Sequence, residues 1–162
     1  MAKIVLITGA SSGIGEETVK CLMTAGYKVY AGARRLDRMK SLADAGARLL
    51  ALDVTDDGSM TAAVKTVMQE TGRIDVLINN AGYGSYGALE DVPPEEARRQ
   101  FDVNIFGLAR ITQLVLPAMR AQGFGRIINI SSIGGKFGEP FGGWYHATKF
   151  AVEGLSDSLM FG

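Results

Sequence analysis

The sequence contains very little cysteine and no excess of charge of either sign. Cys21 is the only cysteine among 162 residues, so the chain cannot form an internal disulfide, which fits a reducing compartment. Lysine plus arginine and aspartate plus glutamate are equal, at 17 each. Because nucleic acids and anionic membrane surfaces attract a basic excess, we expect neither as a partner.

Long apolar runs are also missing. The run at residues 4–7 is shorter than the apolar segment of a secretory signal, and no run approaches the length of a membrane span. These absences predict a cytoplasmic protein. His146 is the only histidine, and without a second His or a Cys cluster a metal site is not expected. We expect His146 to be a packing or rim residue and Cys21 to be a small core residue within a helix.

What the sequence does contain is an alternation of short apolar runs and longer amphipathic stretches. A chain of this length most naturally forms one domain, over residues 1–162. Runs that are apolar throughout predict strands covered on both faces, and repeated β-helix-β units predict a parallel sheet. The predicted fold class is therefore α/β, a doubly wound parallel sheet in three α/β/α layers. The predicted strands are residues 4–7, 28–32, 48–52, 74–79 and 126–131. The predicted helices are residues 13–25, 36–45, 56–70 with Asp56 near the N-cap, a helix beginning at Glu95, residues 107–122 and residues 144–160.

A glycine-rich loop, residues 8–15, follows the first predicted strand and opens the first helix. Gly9 permits a tight turn, Gly13 lets the backbone approach a pyrophosphate, and Gly15 allows close packing of helix on strand. The unpaired N–H groups at the helix N-terminus suit phosphate. The spacing is G-x-x-x-G-x-G, which differs from the general dinucleotide fingerprint, so an ordinary glycine-rich turn is the alternative.

Tyr145 and Lys149 lie four residues apart in the last predicted helix and therefore share one face. A phenol is a poor proton acceptor near neutral pH, and a nearby ammonium favours its ionised form. Such a pair suits proton transfer to a carbonyl oxygen that becomes an alcohol. The alternative is a surface tyrosine and lysine at helical spacing, which is a common arrangement.

Several short motifs occur in an order that resembles the short-chain dehydrogenase/reductase family, and together they cover nearly the whole chain. Each motif is weak alone, whereas the complete order is specific. The resemblance implies a Rossmann fold that carries an Asn–Ser–Tyr–Lys catalytic set. The matching motifs are Thr8-Gly9-x-x-x-Gly13-x-Gly15, Asp53-Val54, Asn79-Asn80-Ala81-Gly82, Asn104, Ser132 and Tyr145-x-x-x-Lys149.

The resemblance implies a role for each catalytic residue. Tyr145 would be the general acid/base, and Lys149 would favour the ionised phenol and bind the nicotinamide ribose. Ser132 would hydrogen-bond the substrate oxygen, and it is preferred over Ser131 because the family's serine lies thirteen residues before its tyrosine. Asn104 would hold a proton-relay water, although a structural hydrogen bond would equally satisfy an asparagine in an apolar helical run.

The implied cofactor site extends from the glycine loop to the last helix. Asp53 would contact the adenine, and the Asn79–Gly82 motif would be mainly structural. The implied cofactor-binding residues are Gly9, Ser11, Ser12, Gly13, Ile14, Gly15, Arg34, Arg35, Asp53, Val54, Asn80, Ala81, Gly82, Tyr145 and Lys149.

The end of the second predicted strand indicates which nicotinamide cofactor is used. An NAD site usually has an acidic residue here, which binds the ribose hydroxyls and repels a 2′-phosphate. This chain has Ala33 at about that position, followed by Arg34 and Arg35. Because a guanidinium suits a phosphate dianion, the pattern predicts NADP(H). The alternative is that both arginines are solvated surface charges.

The resemblance also implies what the substrate and the assembly would be. The segments at residues 83–87 and 136–144 would flank the pocket, and Phe137, Phe141 and Trp144 would form an apolar wall. This favours an apolar ketone, aldehyde or alcohol, as in hydroxysteroid- and retinol-type relatives. The helices beginning near Gly107 and Trp144 would pair across a two-fold axis in a homodimer or homotetramer.

Family members continue beyond the position of Gly162 into a sixth strand, a turn at the nicotinamide, a segment covering the substrate and a seventh strand. The resemblance therefore implies a sequence truncated after the Tyr145–Lys149 helix, with its fifth strand at an exposed edge. It leaves open whether these 162 residues are active on their own. The alternatives to an active enzyme are a catalytically silent cofactor-binding protein and a purely structural Rossmann-like scaffold.

Overall fold

Five parallel strands form a single sheet in the computed structural model, which describes residues 2–160. The strands are β1 (Ile4–Thr8), β2 (Lys28–Ala33), β3 (Arg48–Ala51), β4 (Val76–Asn79) and β5 (Arg126–Asn129). Their order in the sheet is β3-β2-β1-β4-β5, and every neighbouring pair is parallel. The helices are α1 (Gly13–Thr24), α2 (Lys40–Asp44), α3 (Asp57–Thr71), α4 (Pro94–Phe101), α5 (Leu108–Ala121) and α6 (Gly143–Leu159). This confirms the predicted Rossmann-type fold. The Phe161-Gly162 end, where the resemblance implies a truncation, lies outside the described residues.

The central strand β1 is apolar along its whole length because both of its faces are buried. Successive side chains of a strand point to opposite faces. Leu6 packs into a core with Ile111 of α5, whereas Ile7 packs into a second core with Val19 of α1. Helices therefore cover the sheet on both sides, as predicted from the unbroken apolar runs.

The sheet has its topological switch point between β1 and β4. The chain winds outward from β1 to β2 and β3, then crosses to β4 on the other side of β1 and continues to β5. In open sheets of this kind, ligands bind at the carboxyl ends of the strands beside such a point. The fold therefore directs attention to the ends of β1 and β4.

The helical stretch predicted over residues 36–45 is confirmed over residues 36–44, but it has two parts. The structure has a 3₁₀ turn, Leu36–Met39, followed by the short helix α2. Arg35 at the N-cap provides no side-chain hydrogen bond to the first turn. A tighter 3₁₀ turn is a common way for an uncapped helix end to satisfy its backbone groups.

The helical run predicted over residues 107–122 is confirmed, since α5 covers Leu108–Ala121 and Gly107 is its N-cap. The sequence did not show that a π-helical turn, Asp102–Gly107, joins α4 to α5 without a break. Gly107 also permits a close contact, because a Cβ there would lie 2.3 Å from the Val54 carbonyl oxygen. The glycine therefore lies both at the start of α5 and at a close approach between backbone segments.

The prediction that Cys21 is a core residue is wrong, since its side chain is exposed. Val19 is the buried residue of this part of α1. Two residues further along a helix correspond to about 200° of rotation, which turns Cys21 towards solvent.

Strand β5 lies at one edge of the sheet, as expected, and its Ile128 is exposed. Among residues 2–160, none of the helices combines the length and the apolar character needed to cross a membrane.

Candidate active site

A cleft of about 610 Å³ opens at the carboxyl ends of all five strands. It is lined by the residues that follow each strand and by parts of α4 and α6. Every implied cofactor-binding residue except Gly13 contributes to this lining. The lining residues are Gly9, Ser11, Ser12, Ile14, Gly15, Ala33, Arg34, Arg35, Leu52, Asp53, Val54, Asn80, Ala81, Gly82, Tyr83, Gly84, Glu96, Arg99, Val103, Ile130, Ser131, Tyr145 and Lys149.

The glycine loop packs closely enough to form a cradle for phosphate. A Cβ at Gly15 would lie 2.3 Å from the Gly9 carbonyl oxygen, and a Cβ at Gly9 would lie 2.7 Å from Cα of Ala81. Gly13 has a φ of +56°, and a Cβ there would meet nothing within 4 Å. Backbone at the start of α1 is therefore accessible from outside, so the residues present fit a dinucleotide pyrophosphate.

Asn80 fastens the ends of β1 and β4 to each other. Its Nδ2 donates to the carbonyl oxygens of Thr8 and Gly9, at 3.1 and 3.0 Å. The Thr8 hydroxyl in turn accepts from the backbone N–H groups of Asn80 and Ala81. Asn80 thus holds the two walls of the switch point at a fixed separation, which agrees with a mainly structural motif.

Positive charge collects at the end of the cleft formed by β2 and β3. Arg34 and Arg35 are exposed and line the cleft next to the buried Ala33. Arg99 of α4 lines the same cleft, and its charge and that of Arg34 both act on Asp53. Three guanidinium groups therefore border this end, and Ala33 provides no carboxylate to repel a phosphate.

Asp53 lies among these arginines as a carboxylate. Its Oδ1 accepts from the backbone N–H and the hydroxyl of Thr55, at 2.9 and 2.8 Å. Burial alone would raise the pKa of the Asp53 carboxyl. The Thr55 hydrogen bonds and the charges of Arg34 and Arg99 outweigh burial and hold that pKa below its usual range. Asp53 is therefore an acceptor at neutral pH.

Tyr145 and Lys149 line the other end of the cleft, from the first turns of α6. The Lys149 ammonium lies 5.8 Å from the centre of the Tyr145 ring. Its Nζ donates to the Ile130 carbonyl oxygen at 2.8 Å. Only 7% of Lys149 is exposed, and this burial lowers the pKa of its ammonium. The arrangement places a phenol and a desolvated cation side by side next to the glycine loop.

Asn104 lies behind the cleft wall in the π-helical turn. Its Nδ2 donates to the Tyr83 carbonyl oxygen and to the Thr148 hydroxyl, while its Oδ1 accepts from the Tyr83 N–H. Both amide hydrogens are thus used in joining the loop after β4 to α6. A Cβ at Gly82 would lie 3.2 Å from the Asn104 oxygen and 3.8 Å from the Lys149 nitrogen. These contacts favour the structural alternative for the side chain, and the water relay stays a prediction.

The two candidate serines have different surroundings. Ser132 caps a 3₁₀ turn, Ile133–Gly135, where its Oγ accepts from the Gly134 N–H at 3.1 Å. It is absent from the cleft lining, whereas Ser131 lines the cleft. The Ser131 Oγ is buried and has no hydrogen-bond partner among residues 2–160. The choice of Ser132 as the substrate contact stays a prediction.

Several lining residues were missed by the sequence reasoning. Leu52 and Ile130 directly follow β3 and β5, but the predicted strands extended over both residues, so their position at a strand end was missed. Glu96, Arg99 and Val103 are spaced at i, i+3 and i+7, which places them on one helical face. Only the packing of α4 against the strand ends shows that this face turns towards the cleft.

Known proteins resemble this chain over nearly its full length. The short chain dehydrogenase family model matches residues 3–161. A 3-ketodihydrosphingosine reductase of Bacteroides thetaiotaomicron is 48% identical over 97% of this chain and 57% of its own length. Human 17-beta-hydroxysteroid dehydrogenase type 1 is 41% identical over 96% of this chain and 51% of its own length. The chain therefore spans little more than half the length of these two relatives.

Solved structures show the same likeness. A short-chain dehydrogenase from Streptomyces avermitilis superposes with a TM-score of 0.95 at 41% identity, over 98% of this chain and 60% of that one. A 3-ketoacyl-(acyl-carrier-protein) reductase from Brucella melitensis complexed with NADH gives 0.92 at 33% identity, over 97% and 68%. An alcohol dehydrogenase from Thermococcus sibiricus complexed with 5-hydroxy-NADP gives 0.92 at 31% identity, over 99% and 71%. Both nicotinamide cofactors thus occur among the structural neighbours.

Proposed function

Because the chain belongs to the short-chain dehydrogenase family, we propose that it is an NADP(H)-dependent oxidoreductase that interconverts a ketone or aldehyde and an alcohol. One observation carries this proposal. Tyr145 and Lys149 line the same cleft as the glycine loop, so a proton-transfer pair and a phosphate cradle border one cavity. The activity would belong to the intact protein that contains these residues, since the chain spans just over half of its relatives.

The residues present would divide the reaction among them. When bound, the nicotinamide ring would supply or accept the hydride. Tyr145 would give its phenolic proton to the carbonyl oxygen, and the Lys149 ammonium would stabilise the phenolate that remains. The Ser132 hydroxyl would hydrogen-bond the same oxygen as negative charge develops on it. Asn104 would hold the wall formed by Gly82 in place.

We propose NADP(H) in preference to NAD(H) because of the charges near Asp53. Arg34 and Arg35 follow Ala33 at the end of β2, and Arg99 lines the same cleft. A 2′-phosphate on the adenosine ribose would be drawn to these guanidinium groups, and no carboxylate stands at Ala33 to repel it.

Arg34→Ala should narrow the preference for NADPH over NADH. Losing a hydrogen bond to a charged group costs about 1.5–3 kcal/mol, or about tenfold to a hundredfold in relative affinity. Titration of both cofactors into the 162-residue chain, followed by fluorescence or calorimetry, measures this ratio. Arg38→Ala is the matched control, because Arg38 is exposed on the 3₁₀ turn that follows Arg35 and does not line the cleft. Equal affinity of the unmodified chain for NADPH and NADH would refute the preference.

We propose an apolar carbonyl compound or alcohol as the substrate. Tyr86, whose ring centre is 5.7 Å from that of Tyr145, is 57% exposed, and Leu89, Phe137 and Phe141 are also exposed. Tyr86 lies beside the proposed proton donor, and exposed apolar side chains of this kind suit a hydrophobic substrate. The ketosphingoid and hydroxysteroid named for the two relatives are of this class. Oxidation of NADPH by the intact protein with a panel of long-chain and polycyclic ketones tests the activity. Cofactor binding without reduction of any carbonyl would instead favour the catalytically silent alternative.

We also propose a homodimer or homotetramer that pairs α5 and α6 across a two-fold axis. Phe106, just before α5, and Phe150 on α6 both expose their rings, and an interface would cover them. Sedimentation velocity should give at least twice the monomer mass at micromolar concentration, and Phe150→Glu should shift the protein towards the monomer. A monomer at every concentration would contradict this proposal.

A further inference from the structure

We infer that His146 is a positioning residue, which holds the segment carrying Ser132 and Phe141 in the geometry that the reaction needs. This inference rests on the proposed function. His146 follows Tyr145 on α6 and is only 6% exposed, which confirms that it is a packing residue. Both hydrogen bonds of its side chain go to residues 132–142, here named the β5–α6 loop.

Both ring nitrogens of His146 are bound to backbone groups of this loop. Nε2 accepts from the Glu139 N–H at 3.0 Å, so it carries no proton. In the neutral ring the proton is then on Nδ1, which donates to the Gly134 carbonyl oxygen at 3.0 Å. The backbone N–H of His146 also donates to the Gly142 carbonyl oxygen at 2.8 Å. One residue therefore fixes the loop at three points.

The ring fits between two glycines that leave it no spare room. A Cβ at Gly134 would lie 2.7 Å from Nδ1, and a Cβ at Gly142 would lie 2.6 Å from both Cδ2 and Nε2. Any side chain at either position would displace the imidazole. The loop is thus built around this ring, and the ring sets the separation of its two ends.

Gly134 connects His146 to Ser132 through hydrogen bonds. The Gly134 N–H donates to the Ser132 Oγ, so the residue held by Nδ1 also orients the serine hydroxyl. With its oxygen accepting from Gly134, Ser132 keeps its own proton to donate to a substrate oxygen. Loss of the Nδ1 hydrogen bond should therefore weaken the hydrogen bond from Ser132 to the substrate oxygen, which strengthens as negative charge develops in the transition state.

The contact of His146 with Glu139 lies two residues before Phe141 in the same loop. Phe141 is the one non-glycine residue with positive φ, +65°, among residues 2–160, and 65% of it is exposed. A bulky residue occupies this backbone region only when its surroundings hold it there. The Phe141 carbonyl oxygen accepts from the Gly87 N–H at 2.8 Å, and the neighbouring Glu139 and Gly142 are bound by His146. Loss of the Nε2 hydrogen bond should loosen this apolar wall.

Two conservative variants separate these effects. His146→Asn retains a donor at the position of Nδ1, and His146→Gln places an acceptor near the position of Nε2. In reduction of an apolar ketone by the intact protein, His146→Ala should lower kcat about tenfold and raise KM. The asparagine variant should recover kcat with KM still raised, whereas the glutamine variant should recover KM with kcat still low. NADPH affinity should stay within about twofold in all three, since His146 does not line the cleft.

Val152→Ala is the matched control, because it removes buried atoms from α6 nearly two turns further on. Val152→Ala should lower thermal stability without changing either kcat or KM independently of the other. Amide hydrogen exchange provides a readout that needs no activity: His146→Ala should speed exchange at Gly134 and Glu139 relative to Val152→Ala. If the unmodified protein reduces no ketone, the proposed function fails and exchange alone decides the inference. Unchanged exchange at both amides, or kcat and KM that move together in the asparagine and glutamine variants, would overturn it.

Discussion

Tyr145→Phe is expected to abolish ketone reduction by the intact protein and to leave its affinity for NADPH almost unchanged. The substitution removes one hydroxyl that lines the cleft and no contact to a phosphate. General acid catalysis contributes about 10²–10⁴-fold to a rate, so kcat should fall by at least about 100-fold. Stopped-flow oxidation of NADPH measures the loss of turnover, and calorimetry on the same preparation measures the affinity.

Tyr86→Phe is the control for this experiment. Tyr86 packs against Tyr145 and loses the same hydroxyl, but it is 57% exposed and does not line the cleft. It should retain most of its activity, with any change limited to KM. A Tyr145→Phe variant that still reduced most of the ketone would show that another group donates the proton.

The parts of the fold that could be predicted are those whose signal is local. Strand β1 is apolar throughout because it is central, and Asp56 caps α3 with a hydrogen bond to the Ser59 N–H. The close packing of the glycine loop was also predictable, because Gly15 leaves no room for a side chain. In each case a few neighbouring residues determine the structure, so the sequence pattern contains enough information.

What could not be predicted depends on segments that meet only in the folded chain. Gly107 was correctly predicted at the start of a helix, but its close approach to Val54 depends on packing that no local pattern shows. Arg99 lies 65 residues after Arg34, and only the packing of α4 brings both to Asp53. His146 was recognised as a packing residue, but its partners Gly134 and Glu139 lie in a loop without periodicity. The choice between Ser131 and Ser132 was made by counting along the chain, which says nothing about which hydroxyl reaches the cleft.

Lys149→Met is expected to impair both turnover and cofactor binding, in contrast to Tyr145→Phe. The methionine keeps the buried stem and removes the charge that lies 5.8 Å from the centre of the Tyr145 ring. Without this ammonium the phenolate loses its nearest stabilising cation, so kcat should fall by about tenfold or more. The affinity for NADPH should fall as well, because Lys149 is also the proposed contact to the nicotinamide ribose.

The pH dependence of alcohol oxidation distinguishes these two roles of Lys149. Oxidation needs the phenolate, so the Lys149→Met variant should reach half-maximal turnover at a higher pH than the unmodified protein. Because burial lowers the pKa of the Lys149 ammonium, its advantage should disappear as the pH rises, and earlier than for an exposed lysine. The two profiles should therefore converge at alkaline pH, where the ammonium has lost its proton. Lys149→Arg should restore charge without the fit of a primary amine to the Ile130 carbonyl, so it should recover the profile only in part. If the Lys149→Met variant lost NADPH affinity but kept the pH profile of the unmodified protein, Lys149 would act only on the ribose. The Tyr145 phenolate would then be stabilised by another group.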